Sequence, residues 1–212
     1  MSKRYNEKEQ LKKKTIKIMK SKRIFMDELR KRRSSTDCEK IWRDSHKRLY
    51  RMLAEHQSLS KGVALHTDNF IFPAAAIYLA MKEVCPEIAY EIMKKTMAEK
   101  STRTGKKIAK CCKLPGFKKF FLSMWDPISH KMFGESSGFK NVFYPKEKRL
   151  FRMDVTQCPY HTYLSETGCP ELNILFCKND EYAYGNLPGI RFTRTGTIAT
   201  GNKRCDFKME LM

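Results

Sequence analysis

The sequence lacks the features that mark several common classes of protein. Its eight cysteines include no Cys-x-x-Cys pair, so the commonest zinc and redox spacings are absent. The longest apolar run, at 70–81, contains Pro73 and is too short to cross a bilayer. No apolar signal segment follows the basic start, so we expect a cytoplasmic protein without a transmembrane segment, whose cysteines are free thiols or ligands.

Acidic residues are scarce beside basic ones. The chain has 43 Lys and Arg against 23 Asp and Glu, a net charge of +20. Residues 1–33 hold 14 basic and 4 acidic residues and no Gly or Pro, and so carry +10. We expect residues 1–35 to form a basic helical arm beside a single α+β domain at 36–212. The arm either stays solvated or contacts nucleic acid, an anionic membrane or a second subunit of a homo-oligomer.

The periodicity of the apolar residues changes after Gly134. Before it, they recur at helical spacing, and Pro73 and Pro86 stand where first-turn prolines of helices stand. After it, β-rich runs flank turn signals at 145–148 and 201–202, with a strand expected at 190–199. The pattern predicts an α+β fold in which a helical N-terminal layer packs on a four-stranded antiparallel sheet built from two hairpins.

The stretch 158–207 combines four cysteines with acids, arginines and many Gly and Pro residues. It contains CPY at 158–160, CPEL at 169–172, FCKND at 176–180, RTGTIATG at 194–201 and CDF at 205–207, and HTDN lies upstream at 66–69. This ordered set resembles the bacterial L-2-amino-thiazoline-4-carboxylic acid hydrolase family over roughly residues 60–208. The resemblance implies a hydrolase that opens 2-amino-thiazoline-4-carboxylate, or a similar cyclic amidine, to a carbamoyl-cysteine-type product on the way to cysteine.

Such a reaction needs a nucleophile or base, a proton donor and a clamp for the substrate carboxylate. Cys177 and Asp180 are three residues apart, so on a helix they share a face, and we take them as nucleophile and acid/base. His66 is the third catalytic candidate. Arg194 is the expected clamp, because a guanidinium pairs with a carboxylate through two hydrogen bonds.

The remaining substrate-binding candidates are Asn69, Tyr160, Cys158 and Cys205. Asn69 has the alternative of capping a helix that starts near Pro73. Cys158 and Cys205 stand at the ends of elements and could meet across the sheet, where they could bind a metal such as zinc together with Cys177, His66 or His161. Their spacing matches no recognised zinc pattern, so we assign no metal ligand and require no cofactor, with zinc as the one open alternative.

The sequence also allows a second function. The chain could be a non-enzymatic small-molecule-binding or sensor domain whose basic arm contacts nucleic acid or membrane. Rapid alkylation of Cys177 near neutral pH would favour the enzyme, because only a thiol of lowered pKa reacts quickly there.

Overall fold

The structure, a computed structural model, describes residues 2–212. Most of the chain up to residue 132 is helical, as the spacing of the apolar residues predicts. The helices of this part are α1 (Ser2–Lys20), α2 (Arg23–Leu29), α3 (Ser35–Glu55), α4 (Lys61–His66), α5 (Phe72–Val84), α6 (Pro86–Cys111) and α7 (Phe117–Met132).

The centre of the helical layer is α5. A π-helical turn, Thr67–Ile71, joins α4 to α5 without a break in the helical chain. The small side chains of Ala74, Ala75 and Ala76 are buried and let α3 and α6 pack closely on α5. The stretch Lys61–Val84 is long and apolar enough to cross a membrane by length and composition. Its most apolar window is 67% buried inside the protein, which is the behaviour of a central core helix.

The N-terminal helices pack on this layer. Met19 of α1 and Met26 and Leu29 of α2 are almost completely buried against α3 and α6. Lys14 pairs with the buried Asp68 of the π-helical turn at 2.5 Å. Residues 2–20 and 23–29 of the segment are helical, and the separate basic arm with its boundary at residue 35 stays a prediction.

The C-terminal part supplies the sheet. Strands β1 (Lys140–Phe143), β2 (Leu150–Gln157), β3 (Ile190–Thr193) and β4 (Cys205–Leu211) pair antiparallel in the order β1-β2-β4-β3. Two hairpins, β1–β2 and β3–β4, are thus joined by β2–β4 pairing, in which Val155 lies opposite Cys205. The α+β class and the four-stranded antiparallel sheet predicted from the sequence are confirmed.

Two further helices, α8 (Pro159–Glu166) and α9 (Asn173–Tyr184), connect the hairpins. A second apolar core lies between the sheet and α7, where Trp125 contacts Phe151 and Phe207. Helix α9 packs along α6, and Gly105 makes the approach possible. A Cβ at that position would stand 2.7 Å from the carbonyl oxygen of Tyr182.

The end of β3 differs from the expectation. Strand β3 ends at Thr193, so Arg194 lies in the loop after the strand and not within it. The rest of the predicted strand is loop at 194–197, followed by the 3₁₀ turn Ile198–Thr200. The cause is Asp206 of β4, which binds the backbone of Thr195 and Gly196 and turns the chain away from strand pairing.

Candidate active site

The candidate site lies between α9, the loop 194–204 and the start of β4. Asp206 anchors this loop: its carboxylate accepts the N–H of Thr195 at 2.9 Å, the N–H of Gly196 at 2.7 Å and the hydroxyl of Thr195 at 2.7 Å. Burial acts to raise the pKa of Asp206, but these donated bonds outweigh it and the pKa lies below its ordinary value. Asp206 therefore stays ionised and fixes the backbone that faces Cys205.

Two cysteine sulfurs share one threonine hydroxyl. Thr197 Oγ1 lies 3.1 Å from Cys177 Sγ and 3.3 Å from Cys205 Sγ. The backbone N–H of Ile198 points at Cys205 Sγ from 3.2 Å. Because a backbone N–H can only donate, Cys205 Sγ is the acceptor of that bond. The hydroxyl of Thr197 can then donate to Cys205 while it accepts the proton of the Cys177 thiol.

This arrangement of donors and acceptors shifts the pKa values of the two thiols in opposite directions. The pKa of Cys205 is lowered, first by its position beside Cys177. Burial opposes this shift, and the Thr197 hydroxyl, the Ile198 N–H and the charge of Arg194 add to the lowering. The pKa of Cys177 is raised, first by its position beside Cys205 and then by burial. Cys205 is thus the thiol that the surrounding donors hold as a thiolate.

Arg194 and Asp180 form the charged part of the cluster. Arg194 donates to Asp180 at 3.0 Å, to Glu181 at 2.9 Å and to the carbonyl of Cys177 at 2.6 Å. Its side chain is 6% exposed, whereas that of Asp180 is 38% exposed. Burial nevertheless raises the pKa of Asp180 to about 6, against the lowering effect of Arg194. Asp180 is therefore an acid enclosed by protein whose carboxylate still reaches solvent.

Cys158 and Tyr160 lie at the start of α8, beside the same cluster. Burial raises the pKa of Cys158 to about 11, and Asp180 and Cys205 are near enough to add to the shift. Burial also raises the pKa of Tyr160, with further contributions from Cys158 and Asp180. Both groups are neutral near pH 7 and form a wall next to Asp180.

His66 reaches the cluster only through Tyr160. Its Nε2 lies 2.7 Å from the carbonyl oxygen of Met132, and its Nδ1 lies 3.1 Å from the hydroxyl of Tyr160. A carbonyl only accepts, so Nε2 carries the proton and Nδ1 accepts from Tyr160. Burial lowers the pKa of His66. His66 is hence a buried neutral residue that orients Tyr160.

Asn69 is not brought to the cluster. Its side chain is exposed and donates to the carbonyl of Leu65, and its own carbonyl accepts from Lys22. The helical chain runs unbroken from α4 into α5, so the expected alternative of a helix start capped by Asn69 is wrong as well. The structure thus brings six of the eight predicted residues into one cluster, and His66 is linked to them through Tyr160. The six are Cys158, Tyr160, Cys177, Asp180, Arg194 and Cys205.

Sequence reasoning did not single out Thr197 or the N–H of Ile198. Both lie in the RTGTIATG motif, where a Thr before a short turn is the only local signal. Asp206 follows Cys205 in β4, so its side chain lies on the opposite face of the strand. It binds the loop backbone and not the thiol.

A cavity of about 300 Å³ lies beside the anchored loop, between Thr195, Gly196 and Arg204. A second cavity, of about 600 Å³, lies elsewhere, between α7 and the β1–β2 hairpin. Within residues 2–212, no three His, Cys, Asp or Glu side chains are grouped so as to hold a metal ion.

The fold and this cluster define an α+β protein with the groups of a hydrolase site: a hydrogen-bonded thiol, an enclosed carboxyl and a fixed guanidinium. Residues 65–209 match the family described as L-2-amino-thiazoline-4-carboxylic acid hydrolase. The match spans most of the chain, so the protein belongs to this family, and the resemblance seen in the motifs is confirmed. Membership supports a hydrolase role. No curated protein and no solved structure matches the chain.

Proposed function

We propose that the protein hydrolyses 2-amino-thiazoline-4-carboxylate, or a similar cyclic amidine, and releases a carbamoyl-cysteine-type product that serves cysteine formation in the cytoplasm. The observation that carries the proposal is the hydrogen bond from the Ile198 N–H to Cys205 Sγ. It gives one thiol of a hydrolase-family protein the environment of a nucleophile.

The reaction proceeds in two stages. The Cys205 thiolate adds to the amidine carbon, and one ring bond from that carbon, to sulfur or to nitrogen, breaks as the leaving atom takes a proton. Water then adds to the same carbon and expels the Cys205 thiolate. The product is the substrate plus one water, with the water oxygen on the former amidine carbon.

The surrounding groups have separate roles in this proposal. Thr197 passes a proton between Cys177 and Cys205, since its hydroxyl contacts both sulfurs. Asp180, ionised above its pKa of about 6, removes a proton from the attacking water. Arg194 remains the proposed carboxylate clamp. Glu181 accepts a hydrogen bond from the Arg194 guanidinium, and its side chain is 54% exposed. The substrate carboxylate would take the place of Glu181 on that guanidinium.

The test is a direct assay. The purified protein is incubated with 2-amino-thiazoline-4-carboxylate in ¹⁸O-labelled water, and the products are analysed by mass spectrometry. We expect a product heavier than the substrate by one water that carries the label in its carbamoyl group. Binding of the substrate without turnover would favour the non-enzymatic binding domain. The 2-amino-oxazoline analogue, assayed in parallel, shows whether the ring sulfur is required.

The pH dependence follows from the two ionisations. Asp180 and Cys205 must both be deprotonated in the proposed roles, so kcat/KM should rise with pH through about 6, the pKa of Asp180, and then level off. At the acid end, the slope of log(kcat/KM) against pH should be about two, and the residual activity of Asp180→Asn should have a slope of about one. A rate that falls above pH 6 would instead assign Asp180 the role of a proton donor.

A further inference from the structure

Helix α7 exposes a row of large apolar side chains. Phe120, Met124 and Ile128 are 59%, 38% and 43% exposed. They stand four residues apart and therefore form one line along the helix. The opposite face of α7 packs on the sheet, where Leu122 and Trp125 are buried. Leu114, just before the helix and 59% exposed, extends the apolar surface.

Positive charge surrounds this row. The segment 106–119, which leads into α7, contains six lysines and no acid. Within residues 2–212, the amino groups of Lys119 and Lys131, and of Lys146 and Lys148 in the β1–β2 loop, take part in no ion pair. Of the nearby acids, Glu147 pairs with Arg152, and Asp126 lies 3.7 Å from the ring nitrogen of His130.

A groove runs beside the row. The cavity of about 600 Å³ between α7 and the β1–β2 loop is lined by Phe120 and Lys119 on one side and by Lys146, Lys148 and Arg149 on the other. Asp126 and Glu147 also line it, so basic residues outnumber acidic ones. The apolar row and the mostly basic side chains of the groove thus lie side by side on one surface. We call this surface, formed by the row and the groove, the α7 face.

We propose that the α7 face docks on an anionic membrane surface. The apolar row would enter the boundary between headgroups and acyl chains, and the lysines of the groove would contact lipid phosphates. Peripheral helices bind membranes in this way, through an apolar face flanked by Lys and Arg, and each basic residue near an anionic leaflet adds to the attraction.

Two other occupants fit the α7 face less well. A second copy of the chain would place lysines opposite lysines, and like charges repel. Nucleic acid would use aromatic side chains for stacking, but Phe120 is the one aromatic residue in the row, and Met124 and Ile128 offer no such surface.

Vesicle binding tests the proposal. The full-length protein is sedimented with vesicles of phosphatidylcholine, with or without phosphatidylglycerol. We expect binding to the anionic vesicles only, weaker at high salt. The variant Phe120→Ser/Met124→Ser/Ile128→Ser should bind them at least about tenfold more weakly, because three apolar side chains no longer leave water. Exposed positions keep the fold intact, which circular dichroism checks.

Matched controls separate the α7 face from charge in general. Ile16→Ser/Phe70→Ser removes exposed apolar groups elsewhere, and Lys13→Gln/Lys17→Gln removes lysines of α1; both should bind vesicles at least half as well as the unmodified protein. In Phe120→Trp, emission should shift to shorter wavelength on binding and be quenched by acyl-chain spin labels. Equal binding to neutral vesicles, unchanged binding by the triple variant, or binding to duplex DNA but not to vesicles would each overturn the proposal.

Discussion

Substitution of Cys205 by serine is expected to lower kcat/KM by at least about a thousandfold, which is the scale seen when a nucleophile is removed. A serine hydroxyl keeps the contacts to Thr197 and to the Ile198 N–H, so the fold should be unchanged. It does not ionise near neutral pH, however, and so cannot replace the thiolate that those donors stabilise in Cys205. The measurement is the steady-state rate with 2-amino-thiazoline-4-carboxylate.

Two further serine variants decide which sulfur attacks. Cys177→Ser should lose no more than about tenfold, because a hydroxyl still donates to Thr197. Cys111→Ser, at the end of α6 and outside the cluster, should behave as the unmodified protein. Iodoacetamide at neutral pH should label Cys205 first, as peptide mapping would show. If Cys177→Ser is the inactive variant and Cys205→Ser is not, the sequence-based assignment of Cys177 as nucleophile holds.

The fold could be predicted because its signals are local. The change from helical to alternating periodicity after Gly134 requires only the spacing of apolar residues, and the turns at 145–148 and 201–202 limit where strands can end. The four strands follow from these signals. The end of β3 could not be found in this way, because it depends on the carboxylate of Asp206, which is ten residues further along the chain than Gly196.

The candidate site was predictable in its residue types and less so in their roles. Cys177 and Asp180 share a helix, so their proximity follows from spacing. The roles depend on tertiary hydrogen bonds. Cys205 differs from Cys177 in accepting a hydrogen bond from the N–H of Ile198. Arg194 donates to three acceptors, and the sequence around it does not predict them. The HTDN motif does not distinguish His66 from Asn69 as a site residue. In the structure His66 is buried, whereas Asn69 is exposed to solvent.

The N-terminal segment 1–33 is rich in basic residues and is nevertheless packed into the protein. Fourteen basic residues dominate the segment 1–33, yet Ile18, Met19, Phe25, Met26 and Leu29 of α1 and α2 are buried in the helical core. Lys22 is drawn into the interior as well: it donates to the carbonyl of Asn69 at 2.6 Å, and burial, with the charge of Lys100, lowers its pKa to about 8.

Deletion of residues 1–33 is accordingly expected to destabilise the whole protein, although the charge alone suggests a dispensable arm. The segment buries five large apolar side chains, Ile18, Met19, Phe25, Met26 and Leu29. At roughly 1.5–3 kcal/mol each, they contribute about 10 kcal/mol, which is comparable to the total stability of a domain, about 5–15 kcal/mol. Deletion also leaves Lys95 without the buried carboxylate of Glu28, 2.7 Å away. Urea unfolding followed by circular dichroism should show a large fall in the midpoint, or no cooperative transition.

Single substitutions test the same argument if the shortened chain aggregates. Leu29→Ala should cost about 2–5 kcal/mol of unfolding free energy, because it leaves a cavity between α2 and the helical core. Ile16→Ala removes an apolar side chain of α1 that is 41% exposed, and should change the stability by less than about 1 kcal/mol. Deletion of residues 2–9, where Tyr5 is 70% exposed, should also have little effect. If the protein without residues 1–33 unfolds at the same urea concentration as the full chain, the arm is a separate unit and the boundary expected at residue 35 is the correct one.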